Sequence, residues 1–415
     1  MASPAPACRR LAALGAALRP QPRAAAAGLE GALAGYRVLN LGQIIAGPVA
    51  ATLLAEFGAE VIKVEHPTIM DPSRGGMEFE QSNRSQLGIT LNLREPEGVA
   101  LLLELVKKVD AVVENFRPGT LEKLGIGPDT LREANPALVV TRVSGYGQTG
   151  PASQRPGFDR IGLAFGGLTY VTGYPEQPPV RPGYMLGDYN TGMMAAFGTL
   201  VALTSARATG VGQDVDIALY ESIWRSSGQL ASQFGKGRVR ERTGNYFAGV
   251  VPAEQFTTRD NEFAVINATT APAFTALCGA MGQPELVDDP RFSPRRELME
   301  NHEEIHAIVR DWVATLTYKE LQAALDEAGV PCTKAMSITD IMEDEHYQAR
   351  EQIISVETAS DHGEIMMPGV VPRLSRTPGH VSRAPMKGEH NEQIYRELLG
   401  FDAAKVAQLT GDGIL

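Results

Sequence analysis

YRVLNLGQIIAGPVAATLLAEFGAEVIKVE, residues 36–65, reads as strand, helix and strand. Tyr36–Leu41 is a buried-strand run, and Glu60–Glu65 is a second. Between them Pro48 suits the first turn of a helix, whose apolar stretch VAATLLAEF runs to Gly58. Three elements in about 30 residues make a β-α-β unit with parallel strands and a right-handed crossover. A second cycle follows. EGVALLLELVKKV is helix-like, DAVVENF a strand, a short helical piece follows Pro128, and LVVTRVSGYG is another strand. Repeated units of this kind predict a doubly wound α/β domain.

Composition agrees with a folded enzyme-sized chain. Its 415 residues give a prior of two or three domains. With 38 Lys and Arg against 49 Asp and Glu, the net charge is −11, which argues against a polyanion-binding surface and so against nucleic acid as partner. Three cysteines (Cys8, Cys278 and Cys332) and seven dispersed histidines offer neither a disulfide framework nor a metal site. No apolar run reaches the ~20 residues of a membrane span, so a soluble protein is expected. The 43 glycines and 27 prolines point to many tight turns and close backbone approaches.

Residues 1–27 carry Arg9, Arg10, Arg19 and Arg23 and no acid, the composition of a transit peptide or of an unstructured extension. A large domain is expected over residues 28–222 and 336–415. A smaller one, with charged helices and short strands, is expected over 223–335. Ligands of doubly wound folds bind at loops beyond the carboxyl ends of the strands. The loops here are Gly42–Pro48, Asn115–Gly119 and Ser144–Gly150, and none carries a GxGxxG or GxxxxGK[ST] signature.

Among acids, Asp188 stands out. It follows Gly187 at the start of a long apolar helix, a position that suits an N-cap and also suits a partly buried nucleophile. Asp159, in PGFD, reads as a turn or cap residue or as a site acid. Glu65 ends the second strand, where a ribose-binding acid or a solvated strand end would lie. Asn115 and Arg117 sit at a strand terminus, where a basic residue suggests phosphate contact.

Together, AGPVAATLLAEFGAEVIKVE, VENFRPGTLEKLG, SGYGQTGP, PGFD, LGDYNTG, TGVGQDVDIALYES, AGVPC and GEHNEQIYREL resemble the class III CoA-transferases, the formyl-CoA transferase and carnitine CoA-transferase family, over residues ~30–415. The resemblance implies a Rossmann-like CoA-binding domain plus a smaller α+β domain, in an interlocked homodimer. It implies that Asp188 is the nucleophile, forming an aspartyl anhydride and then an aspartyl-CoA thioester. Asn115, Phe116 and Arg117 match CoA-holding positions, Arg74 and Lys123 lie near basic phosphate contacts, and Glu65 and Asp159 match acids near the site. No permanent cofactor or metal is implied: a CoA thioester is itself substrate, beside a small mono- or dicarboxylic acid. Many such relatives use succinyl-CoA, and Arg155, Arg160, Arg181 or Arg242 could pair a second carboxylate.

Some positions depart from the family. Gln86 and Leu87 stand where basic residues are common, Ile45 replaces the glutamine of formyl-CoA transferase, and that enzyme's glycine run is absent. These point away from an oxalate/formate pair. Acyl-CoA racemases of the same fold carry His before the acid that matches Asp159. Here that residue is Phe158, which holds no proton, so transfer is favoured over racemisation. A non-catalytic CoA-binding scaffold would not need the intact LGDYNTG. The expected compartment is the cytoplasm, or the mitochondrial matrix if residues 1–27 are a eukaryotic targeting sequence.

Overall fold

The computed structural model describes residues 31–415 except Ala248, and the 1–27 extension lies outside the described residues. Six strands form one sheet: Arg37–Asn40 (β1), Glu60–Glu65 (β2), Leu87–Thr90 (β3), Ala111–Glu114 (β4), Val139–Ser144 (β5) and Asp214–Ala218 (β6). Their order is β3-β2-β1-β4-β5-β6, and every neighbouring pair is parallel. The reversal between β1 and β4 is the topological switch point, where such sheets open a crevice beyond their carboxyl ends.

Helices cover both faces, and the period-two alternation of each strand divides the core accordingly. On one face Leu39, Ile62, Val112 and Val140 pack with Leu102 and Leu105 of helix Pro96–Val106 (α2). On the other, Val38, Val61, Val113 and Val139 pack against helix Ala46–Glu56 (α1) and the long helix Leu186–Thr209 (α4). Helices Asp159–Phe165 (α3) and Leu219–Arg225 (α5) adjoin α4.

Strand ends are set by side chains that turn the backbone. DAVVENF extends as a strand only to Glu114, because the Glu114 carboxylate accepts the Phe116 N–H at 2.7 Å and bends the chain. Val139–Ser144 stops where Ser144 Oγ accepts the Gly147 N–H at 2.8 Å. Strand β3 has no counterpart in the sequence reading: four residues, one of them Gly88, are too few to show a period.

The chain divides into two units. The larger comprises the described residues up to Thr169, Arg181–Gly235 and Glu351–Leu415; the smaller is Tyr170–Val180 with Lys236–Arg350. Within the smaller unit, Ala253–Thr257 (β7), Phe263–Asn267 (β8) and Cys332–Lys334 (β9) form an antiparallel sheet. Its core includes Val309 and Val313 of helix His302–Val313 (α6) and Leu321 and Leu325 of Tyr318–Ala328 (α7). In the larger unit, helix Asn391–Leu399 (α8) locks to β3 through the Tyr395 hydroxyl, which donates to Thr90 O at 2.7 Å. Among the described residues no helix is long and apolar enough to cross a membrane, and no cluster of His, Cys, Asp and Glu could hold a metal ion.

Candidate active site

Asp188 occupies the third position of α4, behind Met185 at the helix cap. It does not cap its own helix. That task falls to Asp159 at the start of α3, whose Oδ1 accepts the Gly187 N–H at 2.7 Å and the Asp188 N–H at 3.2 Å. The approach needs glycine at position 187, where a Cβ would sit 2.9 Å from that oxygen. With the cap supplied from elsewhere, the Asp188 carboxylate has no hydrogen-bond or ion-pair partner among the described residues and lines a cavity of about 220 Å³.

The cavity lies at the switch point. Gln43–Ala46 after β1, Asn115–Pro118 after β4 and Gly145 after β5 form its walls, with Arg155 and Phe158 from the long loop before α3. That loop crosses β5's exit at van der Waals distance: a Cβ on Gly145 would fall 2.7 Å from Gly157 Cα. Burial, then the negative charges of Asp159 and Glu78, push the Asp188 carboxyl up to about 7. Beside it the Tyr189 hydroxyl donates to Glu78 Oε1 at 2.8 Å and accepts from Gln81 Nε2 at 2.9 Å.

Two buried ionic groups support the walls. Arg142 on β5 donates to Glu114 at 2.9 Å and to Glu122 at 2.8 Å, holding the turn that presents Phe116 and Arg117. Burial pushes Glu114 up to about 7 against the pull of Arg142. On the β1 side, Lys63 and Asp71 form an ion pair in which each side chain is 1% exposed.

The sequence-derived candidates separate into two groups. Asp188, Asn115, Phe116 and Arg117 come together at the cavity, and Asp159 touches the Asp188 backbone. Glu65 and Arg74 bind one another instead, through Arg74 Nε to Oε1 at 2.9 Å and a second guanidinium bond, and lie outside the cavity lining. Lys123 is exposed and also outside it. The amide of Asn115 is engaged by the backbone of Gln43, with both bonds at 2.7 Å. Phe158 lines the cavity without a titratable group, and of Arg155, Arg160, Arg181 and Arg242 it is Arg155 that lines it. Gln86 is a core residue, bonded to Asn40 at 2.9 Å and Thr52 at 2.8 Å.

A family model described as CoA-transferase family III matches residues 33–391. The chain belongs to CoA-transferase family III. It is an enzyme that transfers CoA between an acyl-CoA thioester and a carboxylic acid. Within this family, the succinyl-CoA–D-citramalate CoA-transferase of Chloroflexus aurantiacus is 43% identical over 390 residues, covering 91% of this chain and 97% of that protein. The succinyl-CoA–L-malate CoA-transferase beta subunit of the same organism is 40% identical over 397 residues, 92% of this chain and 98% of that one. The crystal structure of a CAIB/BAIF family protein from Brucella suis superposes with a TM-score of 0.78 at 29% identity, covering 89% of this chain and all of the other, 100%.

The sequence passed over Lys63 and Asp71, although a lysine inside the apolar run EVIKVE was a visible signal. The cap makes a direct prediction. Asp159→Ala should cost about 0.5–2 kcal/mol in urea unfolding and Asp159→Asn, which keeps the acceptor oxygen, clearly less. Equal losses would mean that the charge, and not the cap, is what α4 requires.

Proposed function

We propose that this family III transferase moves CoA from succinyl-CoA to a second small dicarboxylic acid through an acylated Asp188. The observation that carries the reading is a half-buried carboxylate, unpartnered among the described residues, at the start of α4 in the switch-point cavity. Two relatives named for succinyl-CoA and a hydroxydicarboxylate support the substrate class.

In this reading an Asp188 oxygen attacks the thioester carbonyl, the C–S bond breaks, and CoA thiolate leaves an aspartyl–acyl anhydride. The thiolate then attacks the aspartyl carbonyl, releasing the donor acid and leaving Asp188 as a CoA thioester. The acceptor carboxylate attacks that thioester and expels the thiolate again. Attack of the thiolate on the acceptor carbonyl of the new anhydride regenerates the Asp188 carboxylate. No net proton is taken up, and one difficult exchange becomes four acyl transfers. The Ile45 and Ala46 N–H groups, at the start of α1, have no acceptor among the described residues and flank the cavity as donors for the oxyanion. Arg155, exposed and without an ion-pair partner among the described residues, pairs the second carboxylate of the acid. Phe116 and Arg117 lie where the nucleotide end of CoA enters, with Lys123 as an outer contact. Arg74 is neutralised by Glu65, which leaves phosphate recognition to Arg117 and Lys123.

Homodimerisation belongs to the same reading. Met193, Phe197 and Val201 recur every four residues along α4 and are 50%, 62% and 54% exposed, an apolar stripe that a second copy would cover. The test is an exchange assay with succinyl-CoA and a panel of mono- and dicarboxylic acids, with hydroxylamine added during turnover. Dicarboxyl-CoA products and a hydroxamate on Asp188 are expected. Transfer with an unlabelled Asp188, or label on another residue, would sink the proposed intermediate.

A further inference from the structure

Ile44, in the wall of the cavity, adopts φ +66°, a left-handed conformation that β-branched residues avoid at a cost of order 1–3 kcal/mol. Such a conformation persists only where its surroundings over-determine it, and here they do. The Ile44 N–H is shared between both carboxylate oxygens of Asp71, each at 3.2 Å. Lys63 Nζ donates to Gly42 O at 2.6 Å and to Asp71 Oδ2 at 3.1 Å. Asp71 Oδ1 is itself fixed by the Ser73 N–H at 2.9 Å and the Ser73 hydroxyl at 2.7 Å. From the opposite side Asn115 holds both backbone groups of Gln43. The loop Gly42–Ile44 is therefore gripped at its carbonyls and its N–H groups in turn. The next residue, Ile45, caps α1, and its carbonyl already accepts the Val49 N–H at 2.8 Å.

A buried ion pair is a poor way to gain stability, since apolar groups of the same volume do as well or better. What it supplies that apolar groups lack is a directional hold on polar backbone atoms. Burial works against the Asp71 charge, yet Lys63 and the Ser73 bonds outweigh it and keep the carboxyl below its ordinary value. Burial pulls the Lys63 ammonium below its ordinary range against the attraction of Asp71 and Glu65. The hold on the loop therefore rests on the bonds themselves: two donated by Lys63 and two accepted from the Ile44 N–H by Asp71.

We propose that Lys63 and Asp71 are positioning residues that hold Ile44 in its left-handed conformation and so aim the Ile45 and Ala46 N–H groups at the oxyanion formed during acylation of Asp188. This role rests on the aspartyl mechanism above. Neither side chain touches substrate; both act through the loop.

The test uses full-length enzyme carrying Asp71→Asn, and a Lys63→Met/Asp71→Asn double variant that leaves no unpaired buried charge if the single variant folds poorly. Competent sites are counted by the fraction of Asp188 converted to hydroxamate at completion, and turnover is expressed per counted site. Turnover per site should fall ~10²-fold, the cost of misplacing a catalytic group by about 1 Å, while KM for the acyl-CoA stays within about twofold. A merely structural role would lower the number of labelled sites and leave turnover at each one unchanged, and that result would overturn the proposal. Wild-type enzyme that turns over without label on Asp188 would instead overturn the aspartyl mechanism, and this role with it.

Discussion

Asp188→Asn is expected to lower CoA transfer by at least ~10⁴-fold and, at pH 8, to raise the melting temperature by roughly 2–4 °C. The first effect follows from removing the only group in the reading that can form the covalent intermediate. The second follows from where the carboxylate sits. Burial and the charges of Asp159 and Glu78 raise its pKa from 3.8 to about 7. For an acid whose folded-state pKa lies above its unfolded value, the folded state keeps its proton between the two. Stability is then lost as pH rises from about 4 to about 7, and the loss is complete above it. Asparagine cannot ionise, so the variant's advantage should be absent near pH 4 and fully grown by pH 8. Thermal melts across that range check the claim, and a pH-independent difference would sink it. The same shift sets the rate profile: acylation needs the ionised carboxylate, so kcat/KM should climb with pH and level off above about 7.

Arg155→Gln should raise KM for a dicarboxylate acceptor by ~10–100-fold, the value of one charge-assisted pair, with little change for a monocarboxylate. Arg155 lines the same cavity as Asp188 and is exposed, with no ion-pair partner among the described residues, so the fold should be indifferent to the change. The contrast between the two acceptor types is the informative readout. A loss shared equally by both would assign Arg155 to CoA, and no loss for either would place the second carboxylate elsewhere.

Much of the larger unit was legible because strands β1 to β5 are buried on both faces and the helices that cover them are rich in apolar residues. YRVLNL, EVIKVE and LVVTRVSGYG announce themselves, and the segment LGDYNTG marked Asp188. Less legible was anything set by a contact between residues far apart in the chain. Asp159 and Asp188 both suit helix caps on local grounds, and only their 28- and 29-residue-distant bonds show that one caps the helix on which the other is free. Glu65 and Arg74 each suit a ligand on local grounds, and only the fold shows that their side chains pair with one another.

The sequence by itself determined the parallel α/β class, the family and the residue types available at each loop. Hydrophobic periodicity and motif order are local, and they survive without knowledge of what packs on what. Only the tertiary structure decided the division of labour among the polar residues. It placed β1, β4 and β5 so that their exits share one crevice, and it buried Lys63 and Asp71 together beneath Ile44. Whether a charge is spent on a neighbour or left for a substrate depends on distances of about 3 Å between segments tens of residues apart, and spacing along the chain does not encode those.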